Sequence, residues 1–187
     1  MFWNENWNTW NEDWSNHGPS SDQHRINEFL SQHGDKNKRV LIVGSGDSSF
    51  AIELCSKFKE VVSITVLSSE IKKSEEVINS YKLQNYSNYL CNKHTYDFLT
   101  LPGTFEYISD NGLFTFSDCK ICYYNVLQFY VQKLSKNGMI LTDTLGLYFA
   151  KQFTVEKLKN FVIEAKIPLE LIEFKNGTHY VVGLKKV

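Results

Sequence analysis

Val40-Leu41-Ile42-Val43 is apolar without alternation and runs straight into Gly44-Ser45-Gly46-Asp47-Ser48-Ser49. A strand with one face in water alternates apolar and polar residues, so a run apolar throughout predicts a strand covered on both faces, as in a parallel sheet between helical layers. The glycines predict a tight turn, and beyond them Ala51, Leu54, Cys55 and Phe58 fall on one helical stripe. Buried strand, glycine turn and helix in that order point to an open, doubly wound α/β sheet. In such sheets the ligand crevice lies at the carboxyl ends of the strands.

The rest of the chain extends this pattern. Val61 to Leu67 reads as a second strand, and Ser69 as the cap of a helix carrying Ile71, Val77, Ile78 and Tyr81. A weakly marked third strand falls near Tyr89 to Asn92, and Phe105 to Ile108 forms the fourth, ending in the turn residues Ser109 to Gly112. Asp118 is placed to cap a helix that runs to Ser135 and buries Leu127, Tyr130, Val131 and Leu134, with Asn137-Gly138 as its stop. Met139 to Thr142 gives a fifth strand and Thr154 to Ala165 a further helix. Leu169 to Phe174 and His179 to Leu184 flank Lys175-Asn176-Gly177-Thr178, an Asn-Gly hairpin signal. The expected architecture is therefore a Rossmann-like α/β sheet, doubly wound, of seven strands with a C-terminal antiparallel hairpin.

The 187 residues fit a single domain, 1–187. Within it, residues 1–34 read as an N-terminal helical appendage, because Trp3, Trp7, Trp10 and Trp14 are spaced to share one helix face. That stripe either docks the helix on the domain or forms an aromatic lid over a substrate pocket. A net charge of −1 gives no electrostatic reason to seek nucleic acid. The sequence has no apolar run of membrane-spanning length and no basic, apolar leader, so the expectation is a cytoplasmic protein without a membrane partner. The cysteines Cys55, Cys91, Cys119 and Cys122 fit a reducing compartment and read as small apolar thiols. Cys91-x-x-His94 and Cys119-x-x-Cys122 have zinc-type ligands, but one pair would end a core strand and the other open a helix, so no metal is expected. Asn176-Gly177-Thr178 matches a glycosylation sequon that the turn already explains.

Gly44 suits the tight turn, Gly46 lets a ligand approach the main chain without meeting a Cβ, and the helix start offers unpaired N–H groups. A purely structural turn is the plainer reading of the same residues. A dinucleotide fingerprint asks for a third glycine where Ser49 stands and for an acid about 20 residues on, where the second strand ends Thr65-Val66-Leu67-Ser68. Glu70 falls beyond that point, which disfavours a nicotinamide or flavin dinucleotide.

The whole arrangement, from about Pro19 to the C-terminus, resembles the class I S-adenosylmethionine-dependent methyltransferases of small-molecule or glycan type. Val40 to Phe50 is similar to that family's first motif, Thr104-Phe105-Glu106-Tyr107-Ile108 to its fourth-strand motif, and Leu134 to Ile140 to the segment before its fifth strand. The terminal hairpin matches the sixth and seventh strands that separate these enzymes from dehydrogenases, and Gly18-Pro19-Ser20-Ser21 with Arg25 looks like the lead-in of members acting on sugars and small metabolites. The resemblance implies S-adenosyl-L-methionine as cofactor. Its contacts would come from Gly44, Ser45, Gly46, Asp47 and Ser48, from Leu67 and Ser68 after the second strand, and from His94, Ser109 and Arg25. The chain departs from the family at Ile42, at Val66 or Leu67, and at Lys93 or His94, where acids usually stand; Asp47, Glu70 or Asp97 would then supply a displaced acid.

The reaction implied is methyl transfer to a small metabolite or a sugar or glycan precursor. A hydroxyl acceptor calls for a general base, for which Asp110 ranks first and His17 next, with His24, His94 and Asp143 behind. The alternatives are a catalytically degenerate binding protein on the same fold and, behind it, a nicotinamide-dinucleotide-binding protein. The acceptor's identity and the oligomeric state, a homodimer included, stay open.

Overall fold

Val40 and Ile42 are buried among residues of the two helices on one side of the sheet, while Leu41 between them is buried in the core on the other side. Alternate side chains of a strand point to opposite faces, so an apolar run of this kind needs two helical layers to cover it. The computed structural model describes residues 13–115, 117, 119–149 and 153–187. Trp3, Trp7, Trp10 and the proposed cap Asp118 lie outside the described residues.

The elements in chain order are α1 (Ser21–Gln32), β1 (Arg39–Val43), α2 (Phe50–Lys57), β2 (Glu60–Thr65), α3 (Ser68–Tyr81), β3 (Tyr86–Leu90), a 3-10 turn (Tyr96–Thr100), β4 (Phe105–Ser109), α4 (Lys120–Lys133), β5 (Leu134–Asp143), α5 (Thr144–Phe149), α6 (Val155–Glu164), β6 (Leu169–Phe174) and β7 (Val181–Lys186). The seven-stranded sheet has the order β3-β2-β1-β4-β5-β7-β6. The first five strands run parallel, and β7 enters antiparallel between β5 and β6. On one face, Ile26, Phe29 and Leu30 of α1 and Ala51, Leu54 and Cys55 of α2 cover β1. On the other, Val126, Leu127, Tyr130 and Val131 of α4 and Leu158, Phe161 and Val162 of α6 close the larger core. Each such Leu, Ile or Phe contributes about 1.5–3 kcal/mol on burial.

Several boundaries differ from those expected. β2 stops at Thr65 rather than Leu67, because the Thr65 hydroxyl accepts the Leu67 N–H at 3.1 Å and turns the chain; α3 then starts at Ser68 with Leu67, not Ser69, as N-cap. The buried stripe of α3 is Glu70, Ser74 and Val77, whereas Tyr81 is exposed. β3 lies earlier, since Asn92 already accepts the His94 N–H at 2.9 Å in the following turn. Helix α4 ends at Lys133, and Leu134 begins a strand whose pairing jumps from Phe105↔Leu134 to Tyr107↔Met139. Asn137 at φ 63 and Gly138, whose Cβ would sit 3.0 Å from the Phe105 carbonyl oxygen, form that irregular step instead of a helix stop. The terminal hairpin closes at Phe174↔Val181, with a longer connection than a two-residue Asn-Gly turn, and Tyr180 within it donates its N–H to Thr144 Oγ1 at 3.1 Å.

Candidate functional site

Beyond Val43 the backbone takes left-handed conformations at Gly44 (φ 88), Gly46 (φ 47) and Ser48 (φ 59). Gly44 first extends the ladder, donating its N–H to the Ile64 carbonyl at 2.9 Å. A Cβ built on Gly44 would meet nothing within 4 Å, so its main chain lies bare. Beside Gly46, by contrast, a Cβ would come within 3.7 Å of the Trp14 carbonyl oxygen, because the N-terminal segment crosses the loop there. Ser48 tolerates its positive φ within a buried hydroxyl chain: Tyr86 donates to Ser48 Oγ at 2.9 Å, and Ser63 lies 2.8 Å from the same phenol. Burial pushes the Tyr86 hydroxyl up to about 12, against the lowering effect of its hydrogen bonds with Ser48 and Ser63.

Glu70, on the first turn of α3, is only 4% exposed. Its Oε2 accepts from Ser45 Oγ at 3.0 Å and from the Gly46 N–H at 3.1 Å. Among the described residues no ion pair involves it. A carboxylate thus stands where a phosphate-binding loop would present its N–H groups.

In front of this loop opens a cavity of about 800 Å³, floored by the tips of β1, β2, β3 and β4 and roofed by the segment from Trp14 to Gln23. Of the residues singled out in the sequence, His17, Gly44, Ser45, Gly46, Asp47, Leu67, His94 and Asp110 all line it. Arg25, Ser48, Ser68 and Ser109 do not. Arg25 is held by Asp143, with Nε and a terminal nitrogen each 2.8 Å from a carboxylate oxygen, and that pairing raises the guanidinium's pKa. Ser48 turns into the Tyr86 chain, Ser68 is exposed at the start of α3, and the buried Ser109 Oγ accepts from Gln23 Nε2 at 3.2 Å. Of the acids considered as displaced anchors, Glu70 sits on the glycine loop, Asp47 accepts the Ser49 N–H at 3.0 Å, and Asp97 is exposed away from the cavity.

Asp110 is buried behind the tip of β4, where its Oδ2 accepts from Lys93 Nζ and from the Tyr130 hydroxyl, each at 2.6 Å. Lys93 also donates to the carbonyl oxygens of Gly112 at 2.8 Å and Leu113 at 3.3 Å. Burial, then the adjacent Asp110 charge, raises the Tyr130 pKa well above its ordinary value. Asp110 therefore joins the turns after β3 and β4 and is committed to that contact. Asp143 is equally committed, to Arg25, and His24 is exposed outside the cavity. His17 stays in the roof, its ring edge-on to Trp14 at 5.6 Å. His94 Nε2 lies 3.1 Å from the Thr115 carbonyl oxygen.

Asp22 and Asn111 line the cavity without having been singled out in the sequence, and Lys93, considered there only as a departure from the acid usual after the third strand, lines it too. Asn111 Nδ2 donates to Asp22 Oδ2 at 2.9 Å, which ties the roof to the β4 turn. The one available signal was the position of Lys93, three residues after the end of edge strand β3. Among the described residues no group of three or more His, Cys, Asp or Glu side chains is placed to hold a metal ion, and no helix is long and apolar enough to cross a membrane.

No protein-family model matches the sequence, and no curated protein matches it significantly. Solved structures do match in fold. The Streptococcus mutans protein SMU.1697c, crystallised with S-adenosylhomocysteine, has a TM-score of 0.65 at 16% identity, over 91% of this chain and 100% of its own. The N-methyltransferase NodS of Bradyrhizobium japonicum, also with S-adenosylhomocysteine, gives 0.64 at 12% identity, over 98% and 93%. An rRNA methylase from Streptococcus thermophilus gives 0.61 at 13% identity, over 91% and 99%. With its order of strands and its antiparallel β7, this chain has the class I methyltransferase fold.

Proposed function

We propose that the protein binds S-adenosyl-L-methionine at the glycine loop and transfers its methyl group to a small metabolite or a sugar or glycan precursor. The observation that carries this reading is the Glu70 carboxylate on the Gly46 N–H, facing a cavity beside the bare main chain of Gly44. A dinucleotide brings an anionic pyrophosphate to this position, and a buried carboxylate there repels it. An adenosyl ligand brings ribose hydroxyls and a cationic amino acid, for both of which a carboxylate is the matching acceptor. Gly44 offers a cradle that any Cβ would fill. The residues present therefore fit the cofactor, although Glu70 reaches the loop from α3 and not from the strand tip.

When bound, S-adenosylmethionine supplies a methyl already activated by the sulfonium, so the protein's task is alignment and exclusion of water. Gly44, Ser45, Gly46, Asp47 and Glu70 hold the cofactor in this reading, with Leu67 and His94 bordering the adenosyl side. The roof from Trp14 to Ser20 acts as the lid. His17 takes the acceptor's proton, while Asp110, through Lys93, positions the turns that frame the acceptor.

Among the described residues the lining carries the carboxylates of Asp22, Asp47, Glu70 and Asp110 against the single ammonium of Lys93. That balance disfavours the polyanionic backbone of RNA and suits a neutral, hydroxyl-bearing molecule meeting the aromatic faces of Trp14 and Phe149. Cytoplasmic residence belongs to the same reading. The test is transfer of labelled methyl from S-adenosylmethionine to a panel of neutral hydroxylated metabolites and sugars, with transcribed rRNA fragments alongside. Incorporation into a small molecule is the expected result; incorporation only into RNA contradicts it.

A second reading draws support from the commitment of Asp110 to Lys93: a binding protein that holds the adenosyl ligand without turnover. Tight binding with no transfer to any acceptor would favour it.

A further inference from the structure

Two cysteines open helix α4. Cys119 is its N-cap, and Cys119 Sγ accepts the Cys122 N–H at 3.4 Å. The two sulfurs lie 3.1 Å apart, on the first turn, with Cys119 exposed and Cys122 half-buried. The remaining cysteines are different: Cys55 and Cys91 are buried in the core, and burial pushes both thiols up to about 11. A reactive thiol needs access and stabilisation of its thiolate, and N–H groups at a helix start supply the second. The surface position departs from the expectation of buried apolar thiols for this pair. It also places the pair directly after the segment through Asn111, Gly112 and Thr115 that lines the cavity.

We propose that Cys119 and Cys122 form a redox-active dithiol, a modification site that reacts with small disulfides such as oxidised glutathione. The Cys119 thiolate attacks one sulfur of oxidised glutathione, a mixed disulfide forms, and the first glutathione leaves as thiolate and takes up a proton. Cys122, having lost its proton to solvent, then attacks Cys119 Sγ, closing the Cys119–Cys122 disulfide and expelling the second glutathione. The protein dithiol loses two electrons and two protons, and one glutathione disulfide takes them up to become two glutathione molecules. The contact between the sulfurs makes the second step intramolecular, so the mixed disulfide is short-lived. Cys119 is the entry point because it is the exposed member of the pair.

The experiment treats the full-length protein with excess oxidised glutathione, quenches with acid, alkylates under denaturing conditions and maps the cysteine peptides by mass spectrometry. The expected result is loss of both alkylation sites from the peptide holding Cys119 and Cys122, with its mass lowered by two hydrogens, while Cys55 and Cys91 are alkylated in full. Cys122→Ser is expected to accumulate glutathione on Cys119, and Cys119→Ser to prevent rapid disulfide formation without trapping an adduct on Cys122. Equal, slow reaction of all the cysteines overturns the proposal. So does a glutathione adduct that persists on Cys119 in the unmodified sequence, because Cys122 would then not resolve it. Circular dichroism of both variants establishes that they are folded.

Discussion

Two buried carboxylates border the same cavity and do opposite things. Glu70 is met by a hydroxyl and a backbone N–H, both neutral donors, and lines the cavity. Asp110 is met by the Lys93 ammonium and the Tyr130 phenol, and its charge is matched inside the protein. A buried ion costs several kcal/mol to desolvate, so an acid held only by neutral donors among the described residues is the one suited to a ligand under the proposed function. An acid with its own lysine is part of the scaffold. Among the described residues the glycine-loop end of the cavity thus carries an acid without a cation and the β4 end an acid with one.

The comparison breaks most visibly at Lys93. Lys93→Met leaves Asp110 buried without its cation and is expected to cost about 3–5 kcal/mol, read as a lower midpoint in urea unfolding. The double variant Lys93→Met with Asp110→Asn is expected to recover most of that loss. A single variant as stable as the parent would show that the pair does not join the two turns. Glu70→Gln should behave in the reverse sense. An amide oxygen can still accept from Ser45 and Gly46, so the midpoint should move little, while affinity for S-adenosylhomocysteine falls about ten- to a hundredfold with the lost charge. Calorimetry and unfolding on the same sample separate the two effects.

Gly44→Ala sharpens the contrast. The added methyl meets no protein atom, but its φ of 88 is strained for alanine, at a cost of about 1–2 kcal/mol. Ligand affinity should fall further than this strain explains, because the methyl occupies the ligand's side of the loop. Equal affinity in the folded variant would move the cofactor away from Gly44.

The smallest effect lies in the hydroxyl chain under the loop. Tyr86 is pushed from 10.0 to about 12, and Cys55 and Cys91 from 9.0 to about 11, chiefly by burial. In the unfolded chain these groups ionise first, so the folded state binds more protons in that window. Their contribution is complete below about pH 9 and is lost as pH rises from there to about 12. Tyr86→Phe should cost about 1 kcal/mol at neutral pH, through the hydrogen bonds to Ser48 and Ser63, and should flatten the alkaline fall in melting temperature. A fall of unchanged slope would assign it to other groups.

The strands were legible where covering on both faces imposed an apolar run, as at Val40 to Val43, and the glycine turn was legible because it followed such a run. Boundaries set by single hydroxyls were not. Thr65 ending β2 and Asn92 ending β3 depend on where one side chain bonds the backbone, and periodicity carries no trace of that. The site was half visible. Gly44 and Gly46, singled out from local order, and Glu70, one of the acids considered as a displaced anchor, all line the cavity. The partners of Asp110, Lys93 and Tyr130, were not legible because they come from the β3 turn and α4. Only the folded sheet brings them together. Arg25 likewise reaches Asp143 at the end of β5, a pairing across the whole domain that no sequence spacing announces.

The central claim is that the carboxylate-bearing glycine loop receives an adenosyl ligand and not a pyrophosphate. Titration of the full-length protein with S-adenosylhomocysteine in a calorimeter, with NAD in a parallel cell, tests it directly. The account predicts saturable one-to-one heat for S-adenosylhomocysteine and none for NAD; heat from NAD alone, or from neither, would contradict it.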